Sequence, residues 1–494
     1  MDECVRARDF VRKPLAHLKK MCYTKFYTTF EEGMRMEARI KDMTKGRPGR
    51  LILMFALPLM LGNICQQLYT MVDAAVVGKV VGVQALAAVG ATDWLNWMVL
   101  GILTGFTQGF SILISHRYGA KDEAGLRRSV ALSVLLTAVI AVVLTVASLA
   151  LLSPVLDLLN TPEDVRGDAV GYITVIFSGI TVVAAYNIAS CILRALGDSR
   201  TPLFAMLIAA AINIVLDILF VAGFGWGVVG AAAATVIAQA FSFLFCLNAL
   251  RKIALLRLAR SDFAWNREMI QELVRLGLPV AFQNTVIAGG GMAVQRVING
   301  FGVNFVAGYT ATNKMYGMLE LAASSYGAAV STFSGQNLGA NRYGRIRKGV
   351  RISFVLATVT SAVIGAVMLI FGRGILSLFI SGEAQQVTEV LDVAYAYLSV
   401  MSCCLPILYW LWLYRSALQG MGDTVLPMVS GIAELAMRVG AVLILPSFLG
   451  EYGVYVAEVL AWAGAAVVLA IAYYRKTARF PQEDVEDMAP GESA

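Results

Sequence analysis

The chain contains the stretch SHRYGAKDEAGLRRSV at residues 115–130, which returns as GQNLGANRYGRIRKGV at residues 335–350, 220 positions later. Three further pairs keep the same order: ALPLM (56–60) with GLPVA (277–281), VQALAAVGAT (83–92) with VNFVAGYTAT (303–312), and ALGDSRTP (195–202) with GMGDTVLP (420–427). Four matches in one order across half the chain indicate an internal duplication. The sequence therefore predicts two similar lobes.

The composition of the 494 residues is that of a membrane protein. Apolar residues make up 58%, charged residues only 15%, and the mean hydropathy is +0.70. A soluble domain carries about 25% charged residues, so there are too few charges here to coat a soluble surface. This excludes a soluble enzyme, a disordered chain, a secreted disulfide scaffold and a nucleic-acid binder.

Twelve stretches are long and apolar enough to cross a bilayer as helices, which takes about 20 residues each. Each repeat contains six of them, an even number, so both repeats enter the membrane in the same direction. The predicted fold is an all-α polytopic membrane protein with twelve transmembrane helices in two six-helix lobes related by a parallel internal repeat. The predicted spans are 51–78, 85–115, 129–152, 167–193, 202–224, 227–249, 270–297, 304–334, 350–371, 388–418, 425–448 and 453–474.

The basic residues predict the orientation. The head, the even-numbered connections and the tail hold 34 Lys and Arg, whereas the odd-numbered connections hold only Lys79, Arg166 and Arg373. Because basic residues accumulate in cytoplasmic loops, both termini are expected in the cytoplasm and the protein in the cytoplasmic membrane.

The predicted division of the chain follows the same pattern. The segments are a polar head (1–50), an N-lobe (51–250), a cytoplasmic loop (251–268), a C-lobe (269–475) and an acidic tail (476–494).

Enzymatic motifs are absent from the sequence. His17 and His116 are the only histidines, and the seven cysteines form no CxxC pair. We therefore expect no enzyme activity, no cofactor and no metal site beyond a Na⁺ site. A membrane-embedded enzyme and a passive channel are the weaker alternatives.

Intramembrane carboxylates are costly and mark functional sites. Asp73 and Asp217 lie in predicted spans of the first lobe without a Lys or Arg in the same span, and Asn213 shares a helix face with Asp217. Such a set suits a small hard cation or a proton. The alternative is a pair of neutral, hydrogen-bonded aspartates that tie helices together.

The second lobe differs at the corresponding positions. The repeat offset aligns Asn213 with Arg438 and Asp217 with Val442. Glu434 and Arg438 are four residues apart and are expected to pair. The site for a cation or a proton is therefore predicted in the first lobe only.

These segments resemble the bacterial multidrug and toxic compound extrusion (MATE) family, through ALPLMLGN, VDAAVVG, SHRYGAKD, ILRALGDSRTP and AINIVLDILFV. The resemblance covers residues 43–475 and implies an amino-lobe cation site, which matches Asp73, Asn187, Asn213, Asp217 and Thr235. It also implies a helix bend at Pro58. The segment that begins at Met43 resembles an ordinary start for this family, so Met43 is the expected initiator and residues 1–42 are expected not to be needed for transport. Another branch of the family uses a Glu in the seventh span, where this chain has Gln283.

The sequence gives weaker predictions for the residues that contact the transported compound, the cargo, than for the cation site. Aromatic faces attract flat cations, although aromatic belts at the membrane interfaces also explain such residues. The cavity candidates are Tyr69, Trp94, Trp97, Lys314, Glu320 and Trp410, with Tyr409 and Trp412 as further aromatic candidates.

The sequence thus predicts a secondary active antiporter that exports organic, cationic and aromatic compounds in exchange for Na⁺ or H⁺. Its expected partners are a small organic substrate and membrane lipids, with no nucleic acid, and it is expected to act as a monomer. The alternative is a flippase for lipid-linked oligosaccharides or peptidoglycan precursors in the same superfamily.

Overall fold

The computed structural model describes residues 40–158, 163–377, 380 and 384–481. These residues form helices and connections with no β-strand among them. The transmembrane helices are α1 (Pro48–Val80), α2 (Val83–Gly119), α3 (Glu123–Ala150), α4 in two parts (Glu163–Ser178 and Ile180–Ala195), α5 (Arg200–Asp217), α6 (Gly227–Lys252), α7 (Arg267–Ile298), α8 (Val303–Gly339), α9 (Tyr343–Leu376), α10 (Ala384–Gly420), α11 (Val425–Ile444) and α12 (Glu451–Thr477).

The twelve predicted spans correspond to these twelve helices, and most helices extend a few residues beyond the predicted ends. Within the described ranges, nine helices are apolar enough to cross a membrane by themselves, and the two parts of α4 make a tenth. The other two, α7 and α8, are 32 and 37 residues long and carry more polar residues. They are the repeat partners of α1 and α2, and they complete the two six-helix lobes.

The repeat is visible in the backbone as well as in the sequence. Left-handed φ values recur in pairs, at Lys121 and Asn341 (both 57°) and at Gly82 (121°) and Gly302 (97°), each pair 220 residues apart. The glycines of the two GD turns, Gly197 and Gly422, form a third pair with φ of 88° and 78°. The two halves of the chain therefore share their turns and not only their helices.

The first and seventh helices each pack against both lobes. Ile52 and Phe55 of α1 are buried in the hydrophobic core of the second lobe, while Val77 lies in a core of the first lobe. In the same way, Leu273 of α7 is buried in a core of the first lobe. Each helix contains a proline near the point where its packing changes from one lobe to the other. These prolines are Pro58 in α1 and its repeat mate Pro279 in α7. The helix α1 runs unbroken through Pro58.

The two lobes meet closely at one end of the molecule, which we call the basic end because the basic connections lie there. A Cβ atom on Gly119 would lie 1.9 Å from the carbonyl oxygen of Gln336, and one on Gly339 would lie 2.0 Å from that of His116. These contacts are repeat-related, since Gly119 aligns with Gly339 and His116 with Gln336. The His116 ring also lies 2.7 Å from the carbonyl oxygen of Gly420. The lobes are therefore closed against each other at this end.

Residues 41–45, which we call the strap, lie between the lobes at the basic end. The Met43 side chain is 1% exposed. Its backbone N–H donates to Gln336 Oε1 at 2.8 Å, and its carbonyl oxygen accepts from Asn337 Nδ2 at 3.2 Å. On the first lobe, the Lys41 carbonyl oxygen packs so closely on Gly197 that no side chain fits there. The strap thus contacts both lobes.

Candidate functional site

Asp217 lies at a change of helix type. The α-helical part of α5 ends at Asp217, and the chain continues as a π-helical segment from Ile218 to Gly223. Such segments are rare and occur mostly at functional sites. Asn213 lies one turn earlier on the same face, and both side chains are fully buried. The helix therefore directs a carboxylate and an amide together into the first lobe.

Two neighbouring helices complete this group. Asp73 of α1 lies close enough to Asp217 for the two carboxyl groups to interact electrostatically, and Tyr69, one turn earlier on α1, interacts with both. On α6, Thr235 Oγ1 accepts a hydrogen bond from Asn213 Nδ2 at 3.4 Å. The structure thus brings together four of the five residues implied by the family resemblance, and it adds Tyr69.

The oxygen atoms of this group lack donors. Within the described part of the chain, no hydrogen-bond partner contacts either carboxylate oxygen of Asp217, Oδ1 of Asp73 or Oδ1 of Asn213, although all four atoms are buried. A fifth such oxygen is Oε1 of Gln239, one turn beyond Thr235 on α6. Buried acceptors are normally satisfied, so these five oxygens are candidate ligands for a cation or a proton.

The composition of the site fits a monovalent ion. Two carboxylates with amide, hydroxyl and phenol groups can bind Na⁺ or share a proton. No group of three or more His, Cys, Asp or Glu residues suited to a metal occurs in the described ranges. Gln239 is the member that the sequence reasoning missed, and its spacing of four from Thr235 was the available signal.

Asn187 differs from the other predicted ligands. Its Nδ2 donates to the carbonyl oxygen of Val183 in its own helix at 2.9 Å. Within the part of the chain that the structure describes, no hydrogen bond joins it to the four residues above. Its role as a ligand stays a prediction.

The second lobe contains a network of ion pairs at the corresponding depth. Glu434 accepts from Arg438 at 2.9 Å, which confirms the predicted pair, and also from Arg415 at 2.7 Å. Arg438 in turn contacts Glu458 at 2.8 Å. Sequence reasoning missed Arg415 and Glu458. An intramembrane Glu in the last span was the signal for Glu458.

Glu320 lies beside this network. Its Oε1 accepts a hydrogen bond from the indole N–H of Trp412 at 3.2 Å. The guanidinium carbon of Arg415 lies 5.7 Å from the centre of the same indole ring. The Trp412 ring therefore joins Glu320 to the ion pairs.

The other cavity candidates lie in different places. Lys314 of α8 is exposed, and its charge attracts the exposed carboxylate of Asp93 on α2 of the other lobe. Trp97 is also exposed, and the side chain of Trp94 lies outside the described residues. Trp410 donates to Thr358 Oγ1 at 2.8 Å in a shallow groove between α9 and α10. The structure does not bring Trp410 together with Glu320.

Gln283 is engaged by its neighbours. Its amide nitrogen donates to the carbonyl oxygen of Pro427 at 2.7 Å, and its amide oxygen accepts from Gln419 at 3.2 Å. Both ends of the amide are used, so this position holds α7 against α10 and α11.

Comparisons with known proteins agree with this architecture. The profile of the MatE family matches the chain twice, at residues 58–219 and at 279–442, once in each lobe. Probable multidrug resistance protein YoeA of Bacillus subtilis (strain 168) is 31% identical over 366 residues, which cover 72% of this chain and 78% of YoeA. Probable multidrug resistance protein YpnP of the same organism is 30% identical and covers 69% of this chain and 76% of YpnP.

Solved structures share the fold. The structure described as the outward-facing conformation of a multidrug resistance MATE family transporter of the MOP superfamily superposes with a TM-score of 0.85. The alignment covers 90% of this chain and 99% of that chain at 23% identity. Profile, relatives and fold agree over both lobes, and the chain therefore belongs to the MATE family of multi-pass membrane transporters.

Proposed function

We propose that this protein is a secondary active antiporter that exports organic, cationic and aromatic compounds in exchange for Na⁺ or H⁺ by alternating access. The observation that supports the proposal most directly is the group of buried oxygens on Asp73, Asp217, Asn213 and Gln239 that lack donors. An ionised carboxylate without a counter-charge is costly inside a membrane protein. The site is therefore built to take up and release a cation.

Binding of the ion changes the charge inside the first lobe. The empty site carries two carboxylates that repel each other, and the loaded site is closer to neutral. Because α1 carries Asp73 at one end and packs on the second lobe at the other, ion binding can favour one arrangement of the lobes. A ligand shifts such an equilibrium only through different affinity for the two states. Exchange requires the ion and the cargo to favour different states.

The cargo class rests on other observations. The relatives YoeA and YpnP are named as probable multidrug resistance proteins. Of the cationic side chains in the described lobe interiors, Arg415 and Arg438 are paired with glutamates, which leaves little positive charge for a lipid-linked phosphate. An organic cation is therefore the proposed cargo, in preference to the flippase substrate.

The proposed setting is the cytoplasmic membrane, with the basic end and both termini in the cytoplasm. This orientation follows from the distribution of basic residues. The contacts at the basic end then close the protein to the cytoplasm. Membrane lipids surround a monomer, and the coupling ion is a substrate that needs no cofactor.

The test is efflux of a fluorescent aromatic cation from proteoliposomes, with Na⁺ and pH gradients imposed separately. We expect wild-type protein to move the dye under at least one gradient and Asp217→Asn to lose gradient-driven movement by about 100-fold or more, because the exchangeable charge is gone. The matched control is Asp168→Asn, an exposed aspartate on α4. Normal gradient-driven efflux by Asp217→Asn would refute the assignment.

A further inference from the structure

The charged groups inside the second lobe do not balance. The ion-pair network with Glu320 contains three carboxyl groups and two guanidinium groups, a formal charge of −1 when all are ionised. Glu434 and Glu458 are both ion-paired with arginines. In the described part of the chain, Glu320 forms no ion pair, and the Trp412 N–H donates a hydrogen bond to it. Among the described residues, Glu320 is thus the carboxyl group of this network without an ion-pair partner.

The repeat shows why the other carboxylates do not take up a small cation. Arg438 occupies the position that Asn213 occupies in the first lobe, 225 residues earlier. Its guanidinium bridges Glu434 and Glu458, at 2.9 and 2.8 Å. In the second lobe, the guanidinium group of Arg438 therefore lies at the position that corresponds to the proposed ion site of the first lobe. What remains free for a ligand is Glu320.

Glu320 is also accessible. It keeps partial exposure, as Glu458 does, whereas Glu434, Arg415 and Arg438 are buried. One turn earlier, a Cβ atom on Gly317 would find no atom within 4 Å. Lys314, six residues before Glu320 and on a neighbouring face of α8, is exposed and attracts the carboxylate of Asp93 in the first lobe. The partial exposure of Glu320 and the open space beside Gly317 leave room for a ligand at the Glu320 carboxylate.

We propose that Glu320, oriented by Trp412, binds the positive charge of the organic cation that is exported. A carboxylate beside an indole is suited to an organic cation, because the carboxylate supplies charge and aromatic faces attract cations. The inference rests on the proposed function for the identity of the cargo. It places the cargo charge in the second lobe and the coupling ion in the first, so the two ligands need not displace each other from the same carboxylates.

The test is direct binding of tetraphenylphosphonium to the purified full-length protein in detergent, without gradients. This cation has no titratable proton, so its binding reports charge and aromatic contacts only. We expect Glu320→Gln to weaken binding about tenfold or more, and Trp412→Phe to weaken it less, because the ring stays while the indole N–H is lost. The matched control Glu389→Gln, an exposed glutamate that accepts from Asn304, should bind as wild type does.

Asp217→Asn separates this inference from the proposed coupling site. It should weaken tetraphenylphosphonium binding less than Glu320→Gln does, because it changes the balance between the two states but removes no contact with the cargo, while losing gradient-driven efflux. Unchanged affinity in a folded Glu320→Gln protein, or no binding to the wild type, would overturn the inference. So would an equal loss in Asp217→Asn, which would place the cargo in the first lobe. Wild-type binding through Glu320 without gradient-driven efflux would instead refute the antiport and leave the cargo site standing.

Discussion

Arg438 connects the carboxylates of Glu434 and Glu458, while the aligned residue Asn213 lies beside two carboxylates that have no ion-pair partner within the described residues. At this position the second lobe therefore has a fixed cation where the first lobe has an amide beside the proposed ion site. Removal of one partner from a buried ion pair leaves an uncompensated charge, which costs about 3–5 kcal/mol. Arg438 should accordingly contribute to folding, whereas Asp217 should be dispensable for it.

We expect Arg438→Met to lower the stability of the protein by about 3–5 kcal/mol, since two glutamates lose their shared partner. The matched control is Arg373→Met, which breaks an exposed pair with Asp392 and should cost about 0–1 kcal/mol. Thermal unfolding in detergent, followed by intrinsic fluorescence, compares the two variants. Equal shifts in the two unfolding temperatures would contradict the structural role of Arg438.

The candidate site could be predicted from single residues only in part. Asp73 and Asp217 were recognisable because a carboxylate in an apolar span is rare. Gln239 gave a weaker signal, because an uncharged amide is less costly in a helix interior than a carboxylate. Arg415 lies near the end of α10, where the sequence cannot distinguish a buried arginine from one at the interface. Only the packing of α10 against α11 shows that it pairs with Glu434.

At the scale of helices, the contact between α2 and α7 depends on small residues. A Cβ atom on Gly109 would lie 2.4 Å from Cα of Gly277, and one on Gly105 would lie 2.4 Å from Cα of Ala281. Asn284 adds a hydrogen bond to the carbonyl oxygen of Gly101 at 3.0 Å. These residues belong to different lobes, so the contact forms in the arrangement that is closed at the basic end. Small residues at such crossings allow close approach of membrane helices.

We expect Gly109→Ala to disfavour the closed arrangement by about 1–3 kcal/mol, because the added methyl group overlaps the α7 backbone. Cysteine cross-linking between the lobes at the basic end should fall, and dye efflux should fall with it. Gly90→Ala on the same helix is the matched control, since no atom lies within 4 Å of its added Cβ. Undiminished cross-linking in Gly109→Ala would show that α2 and α7 tolerate a wider crossing.

The whole molecule was the most predictable level, since the repeat, the twelve helices and the family all follow from the sequence. What could not be predicted is how the repeats contact each other. The exchange of partners by α1 and α7 depends on side chains hundreds of residues apart, as when Phe55 packs in the second lobe and Leu273 in the first. The strap is similar, because nothing near Met43 in the sequence indicates that Gln336 binds its backbone.

Gln336 holds three parts of the molecule together at the basic end. Its amide oxygen accepts from the Met43 N–H of the strap, and its amide nitrogen donates to the Ala195 carbonyl oxygen of the first lobe at 2.8 Å, while Gln336 itself belongs to the second lobe. Gln336→Leu keeps the approximate size of the side chain but leaves the Met43 N–H and the Ala195 carbonyl oxygen without a hydrogen-bond partner. Each unsatisfied group costs about 1–3 kcal/mol. Opening of this end lets water satisfy them, so the penalty applies to the closed arrangement alone.

We therefore expect Gln336→Leu to increase the fraction of molecules that are open at the basic end. The increase is about tenfold for each 1.4 kcal/mol by which the closed arrangement is destabilised relative to the open one. Spin labels at Arg128→Cys and Lys348→Cys, exposed repeat mates on the two lobes, report this change as a larger fraction of long distances. The labels require a protein background from which the native cysteines have been removed. The matched control is Gln386→Leu, a substitution of an exposed residue near the other end of the molecule. Because the lobes move as units, the open population should rise without loss of helix content. A distance distribution identical to the control's would mean that the glycine contacts close this end without help from the strap.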